Sequence, residues 1–233
     1  MGCDIHLWVE RKNPDGRWEA INGVNEPELQ WWQNTLERKK ASGGDDTYTE
    51  RRIKELLEGT HDFIFDGRHY VLFSLLAGVR NYYSVTPISE QKGLPEDVTQ
   101  VVKEKSDEWG LDGHSHSWLS TRELVEFDWS KPFEHEGWVS ENEYKKFKEN
   151  GSPDSWSRGV GGGSVEHITN FDMDALISGN GLRWPDKSYY TIIKWTKPLN
   201  EVVDTFYSWS IPKLKELAGD DLDSVRIVFW FDN

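Results

Sequence analysis

Apolar and polar positions alternate along the start of the chain. In residues 3–11, Ile5, Leu7 and Val9 fall on one face of an extended segment. An Asn-Pro-Asp-Gly sequence at 13–16 is typical of a turn, and residues 17–22 return to the extended pattern. The pattern predicts a β-hairpin with one face directed into a core.

Two later segments have the same extended character, and helical patterns lie between them. Residues 188–196 and 225–231 are rich in β-branched and aromatic side chains, which favour strands. Apolar periodicity predicts helices, most clearly over 70–77 and 96–109. We therefore predict an α+β fold with inserted helices and a mainly antiparallel sheet built from both chain ends. Its strands would span about residues 3–11, 17–22, 188–196 and 225–231.

Two segments between the predicted elements have the composition of loops. Residues 110–117 are expected to form a loop before a helix that begins at a capping box of Ser120 and Glu123. The glycine-rich residues 158–164 are expected to form a flexible surface loop. This second segment lacks the Lys-Ser/Thr ending of a phosphate-binding P-loop.

The length of 233 residues fits one domain or two, since a domain averages roughly 150 residues. We expect a single α+β domain over residues 1–233, with a helical insertion at about 24–60. Although the mean hydropathy is -0.73, the chain carries 13 Trp, 10 Phe and 8 Tyr. Each ring can bury roughly 150–250 Å², so the chain can still form a core.

Composition limits the partners and the compartment. The net charge is -14, and the basic residues form no stripe, which disfavours long nucleic acid and anionic membrane as partners. No apolar run approaches the roughly 20 residues that span a bilayer, and the start lacks the layout of a secretion signal. A single cysteine, Cys3, fits a reducing compartment. We expect a cytoplasmic protein.

Histidine and aspartate concentrate in two short segments. Asp4, His6, His114 and His116 are residue types that could hold Zn²⁺ or Mn²⁺. The alternative is that these histidines bond neighbouring loops, and no HExxH or cysteine pair completes a metal pattern. Cys3 with a histidine could form a thiolate pair, but a cysteine in an apolar strand is more often an inert small hydrophobe.

The middle of the chain combines cations with rings near predicted turns. Arginine forks match phosphate geometry, while rings and amides suit the face and edge of a base. The alternative is that these cations pair with surface carboxylates. The residues in this group are Arg68, Tyr70, Arg80, Asn81, Tyr82 and Lys92.

Four segments of the chain resemble a family of small proteins common in bacteriophage genomes. They are the Met-Gly-Cys-Asp-Ile-His start, the Asp-Gly-Arg-x-Tyr to Val-Arg segment at 66–80, the Gly-Leu-Pro turn at 93–95 and the Asp-Gly-His-Ser-x-Ser-Trp-Leu segment at 112–119. The resemblance covers roughly residues 1–21 and 63–129. The family is similar to phage anti-defence sponges, which sequester nucleotide immune signals such as cyclic dinucleotides without cleaving them. This similarity implies a homo-oligomer in the host cytoplasm, with pockets formed partly between subunits.

Residue chemistry and resemblance together give one functional hypothesis and two rivals. We expect a viral anti-defence protein without catalytic residues or a cofactor, which binds a small nucleotide. One rival is a metal-dependent phosphoester hydrolase built on the Asp/His set, and the other is an interaction protein whose exposed tryptophans bind a polypeptide. The expected ligand-binding residues are His6, Arg68, Tyr70, Arg80, Asn81, Tyr82, Lys92, His114, His116 and Trp118.

Overall fold

The two ends of the chain lie side by side in one sheet. The computed structural model describes residues 2–233, and its strands form two sheets in the orders β2-β1-β7-β3 and β4-β6-β5. In chain order the strands are β1 (Asp4–Lys12), β2 (Trp18–Ile21), β3 (His114–Ser120), β4 (Pro132–Ser140), β5 (Val165–His167), β6 (Ser188–Pro198) and β7 (Val225–Asp232). The helices are α1 (Glu26–Ser42), α2 (Thr47–Glu58), α3 (Tyr70–Ala77), α4 (Gln100–Glu108), α5 (Thr121–Glu126), α6 (Glu141–Asn150), α7 (Asn170–Ile177), α8 (Leu199–Val202) and α9 (Ile211–Ala218), with a π-helical turn at Phe206–Ser210.

The four-stranded sheet confirms the predicted α+β fold. β1 pairs antiparallel with β2 and with β7, and Ile5 lies opposite Phe231. One detail of the prediction was wrong: residues 188–196 do form a strand, but β6 belongs to the other sheet. The fourth position is taken by β3, which pairs with β7, although residues 110–117 were expected to be a loop.

The chain divides into two compact units. The first contains the described residues up to Asp128 together with Val203–Asn233, and so includes the four-stranded sheet. The second, Trp129–Val202, contains the three-stranded sheet, whose inner face packs against α6 and α7 through a core that includes Tyr144, Met173 and Trp195. Each unit has its own hydrophobic core.

The sheet of the first unit is covered on both faces. On one face Phe231 contacts Phe73 of α3 with ring centroids 5.0 Å apart. On the other face Trp8, Val228 and Trp230 pack against Val102 of α4. We call this second face the α4 face. Because side chains alternate along each strand, the polar residues His6 and Glu10 of β1 also lie on the α4 face.

Local signals predicted several elements well. α3 has the predicted bounds, and it ends at Gly78, whose φ of 69° is one that side chains disfavour. Ser120 and Glu123 form the predicted capping box of α5. The insertion contains α1 and α2, and residues 158–164 contain no helix or strand. Among residues 2–233, no helix combines the length and apolar character that a bilayer crossing requires.

Candidate functional site

The expected ligand-binding residues fall into two groups at opposite ends of the first unit's sheet. One group surrounds the start of β1 and the end of β7, near His6 and Trp230, which lie opposite each other. The other surrounds Arg226 and contains Lys92 and Trp118. Because Trp230 and Arg226 are four residues apart on one strand, the two groups are separated by roughly 13 Å.

In the first group Arg68 is bonded to a carboxylate. Its Nε and Nη2 donate to the two carboxylate oxygens of Asp4, both at 2.6 Å. This hydrogen bonding lowers the pKa of Asp4 and raises that of Arg68. A Cβ on Gly2 would lie 2.6 Å from Nη1 of Arg68, so the glycine of the signature start makes room for this guanidinium. The pair joins the chain start to the segment before α3.

Arg80 connects both ends of the chain. Its Nη2 donates to the carbonyl oxygen of Gly2 at 3.3 Å and to Oδ1 of Asn233 at 2.9 Å, and its Nη1 donates to the hydroxyl of Tyr82 at 3.4 Å. Its φ of 52° is uncommon for a residue with a side chain. Cys3, beside it, is fully buried, and this burial raises the pKa of the thiol despite the nearby Arg80. A thiolate nucleophile at Cys3 is therefore disfavoured.

The remaining expected residues near α3, which are Tyr70, Asn81 and Tyr82, contact neighbouring parts of the chain. The Asn81 side chain accepts a hydrogen bond from the amide of Val85 and donates one to its carbonyl, so it closes a loop. Tyr70 and Tyr82 lie with ring centroids 6.4 Å apart, and Tyr82 is exposed. Of this group, the Tyr82 ring is the surface most open to a ligand.

The signature histidines lie among rings. The His6 ring is 4.1 Å from the Trp109 ring and 5.7 Å from the Trp230 ring, and its Nε2 is 3.5 Å from Oδ2 of Asp232. His116 also stacks on Trp230, at 5.9 Å, and its Nε2 is 2.8 Å from the hydroxyl of Ser106. Burial lowers the pKa of His116, and so does the charge of a neighbouring histidine. His6 and His116 are thus packed into the α4 face.

The structure does not bring Asp4, His6, His114 and His116, the alternative metal site, together as a set of ligands. Residues 2–233 contain no group of three or more His, Cys, Asp or Glu side chains placed to hold a metal ion. Two of the four side chains bond other residues: both oxygens of Asp4 bond Arg68, and Nδ1 of His114 lies 3.0 Å from the hydroxyl of Ser115. The β-bulge between His114 and Ser117 also interrupts the alternation that would place both rings on one side.

The second group lines a groove of about 810 Å³, which we call the tryptophan groove. It lies within the first unit, at the end of the α4 face where β2, β1, β7 and β3 present Trp18, Lys12, Arg226 and Trp118. The other lining residues are Lys92, Leu94, Pro95, Glu96, Asp97, Ser120, Glu123 and Asp223.

Cations and rings alternate across the tryptophan groove. The Lys12 ammonium lies 5.0 Å from the centre of the Trp18 ring, and the Arg226 guanidinium lies 3.9 Å from the same ring. Arg226 is also 5.7 Å from the Trp118 ring, over which the Lys92 ammonium lies at 4.1 Å. All four distances are within the roughly 6 Å over which a cation and a ring attract each other. The series crosses all four strands of the sheet.

A buried ion pair supports this arrangement. Nε of Arg226 donates to Oε2 of Glu10 at 2.7 Å, and both side chains are almost fully buried. Nη1 of Arg226 donates to Oδ1 of Asp97 at 2.7 Å, while Oδ2 of Asp97 accepts from Nε1 of Trp18 at 2.8 Å. Burial alone would raise the pKa of Asp97, but the bonds from Arg226 and Trp18 lower it. The other Glu10 oxygen accepts from the amide of Thr99 at 2.8 Å.

The sequence interpretation found only Lys92 and Trp118 of the groove. It missed Lys12 and Trp18, although these residues lie opposite each other in the hairpin that it did predict. It also missed Arg226, whose signal is a single arginine in the apolar run of the last strand. A lone charge in a strand buried on both faces must find a partner.

Comparison with known proteins adds no relative. No protein-family model, curated protein or solved structure matches the chain.

Proposed function

We propose that the protein captures a small nucleotide in the tryptophan groove without cleaving it. The observation that carries the proposal is the groove itself, with two tryptophan rings and three cations on its lining. Its volume of about 810 Å³ lies in the range of roughly 300–1,000 Å³ that is common for ligand sites.

The two tryptophan rings can stack on any base, because every base has an aromatic face. Trp18 and Trp118 are both half-buried, and both line the groove. Stacking of a base on an aromatic side chain contributes roughly 1–3 kcal/mol. The two tryptophans therefore support recognition of a planar ligand.

The cations support recognition of phosphate, although the groove also contains acids. Glu123 accepts from Lys92 at 2.5 Å, and Asp223 accepts from Arg122 at 2.8 Å. Lys12, in contrast, forms no ion pair within residues 2–233, and its ammonium lies over the Trp18 ring. We expect Lys12 to be the first cation that a phosphate meets, because its ammonium is not neutralised.

The finer proposal follows the resemblance to phage anti-defence sponges. We propose that the ligand is an immune signal such as a cyclic dinucleotide, bound in the host cytoplasm by a homo-oligomer. A ligand with two bases and two phosphates would use both tryptophans and both lysines of the groove.

Binding can be measured by calorimetry with AMP, GMP, cyclic di-AMP, cyclic di-GMP and cyclic GMP-AMP. We expect at least one cyclic dinucleotide to bind and to be recovered intact after the protein is denatured. Trp18→Ala should weaken binding by roughly 5- to 150-fold, which corresponds to one lost stacking contact. Lys12→Gln should weaken binding and reduce its salt dependence.

Two matched variants control for general effects. Trp184→Ala and Lys194→Gln remove exposed residues of the second unit, and they should leave binding unchanged. The proposal fails if no nucleotide of the panel binds, or if the ligand is recovered cleaved. Equal losses in the groove variants and their controls would place the site elsewhere.

A further inference from the structure

We infer that Arg226 is a positioning residue of the tryptophan groove: its buried guanidinium, bonded to Glu10 and Asp97, holds the Trp18 and Trp118 rings in the arrangement that receives a ligand. The inference rests on the proposed function for the ligand, but the ring arrangement can be tested without one.

The position of the guanidinium between the two rings is the first step. Arg226 is 3% exposed, and its guanidinium lies 3.9 Å from the Trp18 ring and 5.7 Å from the Trp118 ring. The planar guanidinium stacks on aromatic faces in a way that the lysine ammonium cannot reproduce. The spacing of the two rings is therefore set by the group between them.

Asp97 links Arg226 to the indole of Trp18 through hydrogen bonds. One carboxylate oxygen of Asp97 accepts from Arg226, and the other accepts from Nε1 of Trp18 at 2.8 Å. Nη2 of Arg226 also donates to the carbonyl oxygen of Asp97 at 3.1 Å. The orientation of Trp18 thus depends on a residue that itself makes two bonds to Arg226.

Stability alone does not require this charged network. Replacing a buried ion pair by apolar residues of similar size is often neutral or stabilising, whereas removing one partner leaves a costly unpaired charge. β7 carries apolar side chains at most of its other positions, so the charged residue at position 226 is an exception in this strand. The arginine at this position is explained by the three side chains that its guanidinium orients, which are those of Asp97, Trp18 and Trp118.

The double variant Glu10→Gln/Arg226→Met separates positioning from stability. The glutamine introduced at position 10 keeps an acceptor for the amide of Thr99, and no buried charge is left without a partner. We expect thermal unfolding close to that of the wild-type chain. In protein labelled with 5-fluorotryptophan, the ¹⁹F resonance of Trp18, assigned with Trp18→Phe, should shift and broaden. Affinity for any panel nucleotide that the wild-type chain binds should fall at least tenfold.

A second variant keeps the test decisive if the double variant does not fold. Asp97→Ala changes an exposed residue and cuts the link between Arg226 and Trp18, so the Trp18 resonance should shift in a folded protein. Glu96→Ala, at the next position on the same lining, is the matched control and should leave that resonance in place.

Different results would overturn the inference and the proposed function. An unchanged Trp18 resonance in Asp97→Ala would show that Asp97 does not orient the ring, and an unchanged resonance or affinity in the folded double variant would show that Arg226 has only a structural role. If no nucleotide binds the wild-type chain while the resonance shifts as expected, the proposed ligand is wrong but the positioning of the rings is right.

Discussion

Replacement of Gly137 by alanine should destabilise the second unit through a defined steric contact. A Cβ at Gly137 would lie 2.5 Å from Cε3 of Trp156 and 3.2 Å from the carbonyl oxygen of Ser157. The Trp156 segment is held against β4 by two backbone hydrogen bonds between Trp138 and Ser157, of 2.8 and 2.9 Å. The ring therefore cannot move away without breaking other contacts.

The expected loss of stability depends on whether the Trp156 ring stays in place or moves away. If Trp156 stays, the added methyl group overpacks the site, which typically costs about 1–3 kcal/mol. If Trp156 leaves, it loses its edge contacts with the rings of His135 and Trp195, each worth about 0.5–1.5 kcal/mol. The reduced entropy of the unfolded chain offsets about 0.4–1 kcal/mol. We expect a net loss of about 1–2 kcal/mol.

The assay is denaturant unfolding followed by tryptophan fluorescence. Gly163→Ala is the matched control, because a Cβ there would meet nothing within 4 Å, and it should change the free energy of unfolding by less than about 0.5 kcal/mol. Equal stabilities for Gly137→Ala and Gly163→Ala would refute the reasoning. A crystal structure of the variant would show which route is taken.

Three further predictions concern the core, a helix cap and a half-buried histidine. Leu7→Ala, at a fully buried position of β1, should lower the free energy of unfolding by about 2–5 kcal/mol in the same assay, and a smaller loss would mean that the core closes the cavity. Ser120→Ala removes the hydrogen bond to the amide of Glu123 and should cost about 0.5–2 kcal/mol, whereas Glu126→Ala should have little effect. Burial, together with the charge of Lys197, lowers the pKa of His135 below its ordinary value of 6.5. The unfolded chain then binds more protons, so stability should fall as the pH drops below about 6.5, by at most about 1.4 kcal/mol per pH unit. A profile of His135→Phe that has the same slope as wild type would contradict this.

The parts of the fold that the sequence predicted are those with local signals. The hairpin of β1 and β2 has alternating side chains and a turn in which Oδ1 of Asn13 accepts from the amides of Asp15 and Arg17. α3 is bounded by His69 and Gly78, whose backbone angles stop the helix at both ends. Such features require only neighbouring residues, so they can be recognised without knowledge of the rest of the chain.

The parts that the sequence missed depend on distant partners. Residues 114–120 contain two histidines and three serines, so they have the composition of a loop. They form β3 because β7 offers it hydrogen bonds along its edge. The same reason explains β6: the pattern of residues 188–196 identifies a strand, but a strand pattern does not state which sheet it joins.

The candidate site shows a related limit, since the sequence cannot tell a free functional group from one with an internal partner. Arg68 and Arg80 have the chemistry of phosphate ligands, yet they bond Asp4, Gly2 and Asn233. A residue type indicates what a side chain can do, whereas its availability depends on contacts made far along the chain.

The tryptophan groove suggests a better sequence signal than clusters of polar residues. Arg226 is a charged residue between Val225 and Ile227, Glu10 follows the apolar Val9 in β1, and the two lie opposite each other across β1 and β7. Because an unpaired buried charge is costly, two such positions on neighbouring strands predict each other. Once the pairing of the chain ends is inferred, the Glu10–Arg226 pair follows, and the tryptophans that flank it mark the groove. The charges inside the predicted strands therefore locate the candidate site more directly than the histidines at the strand ends.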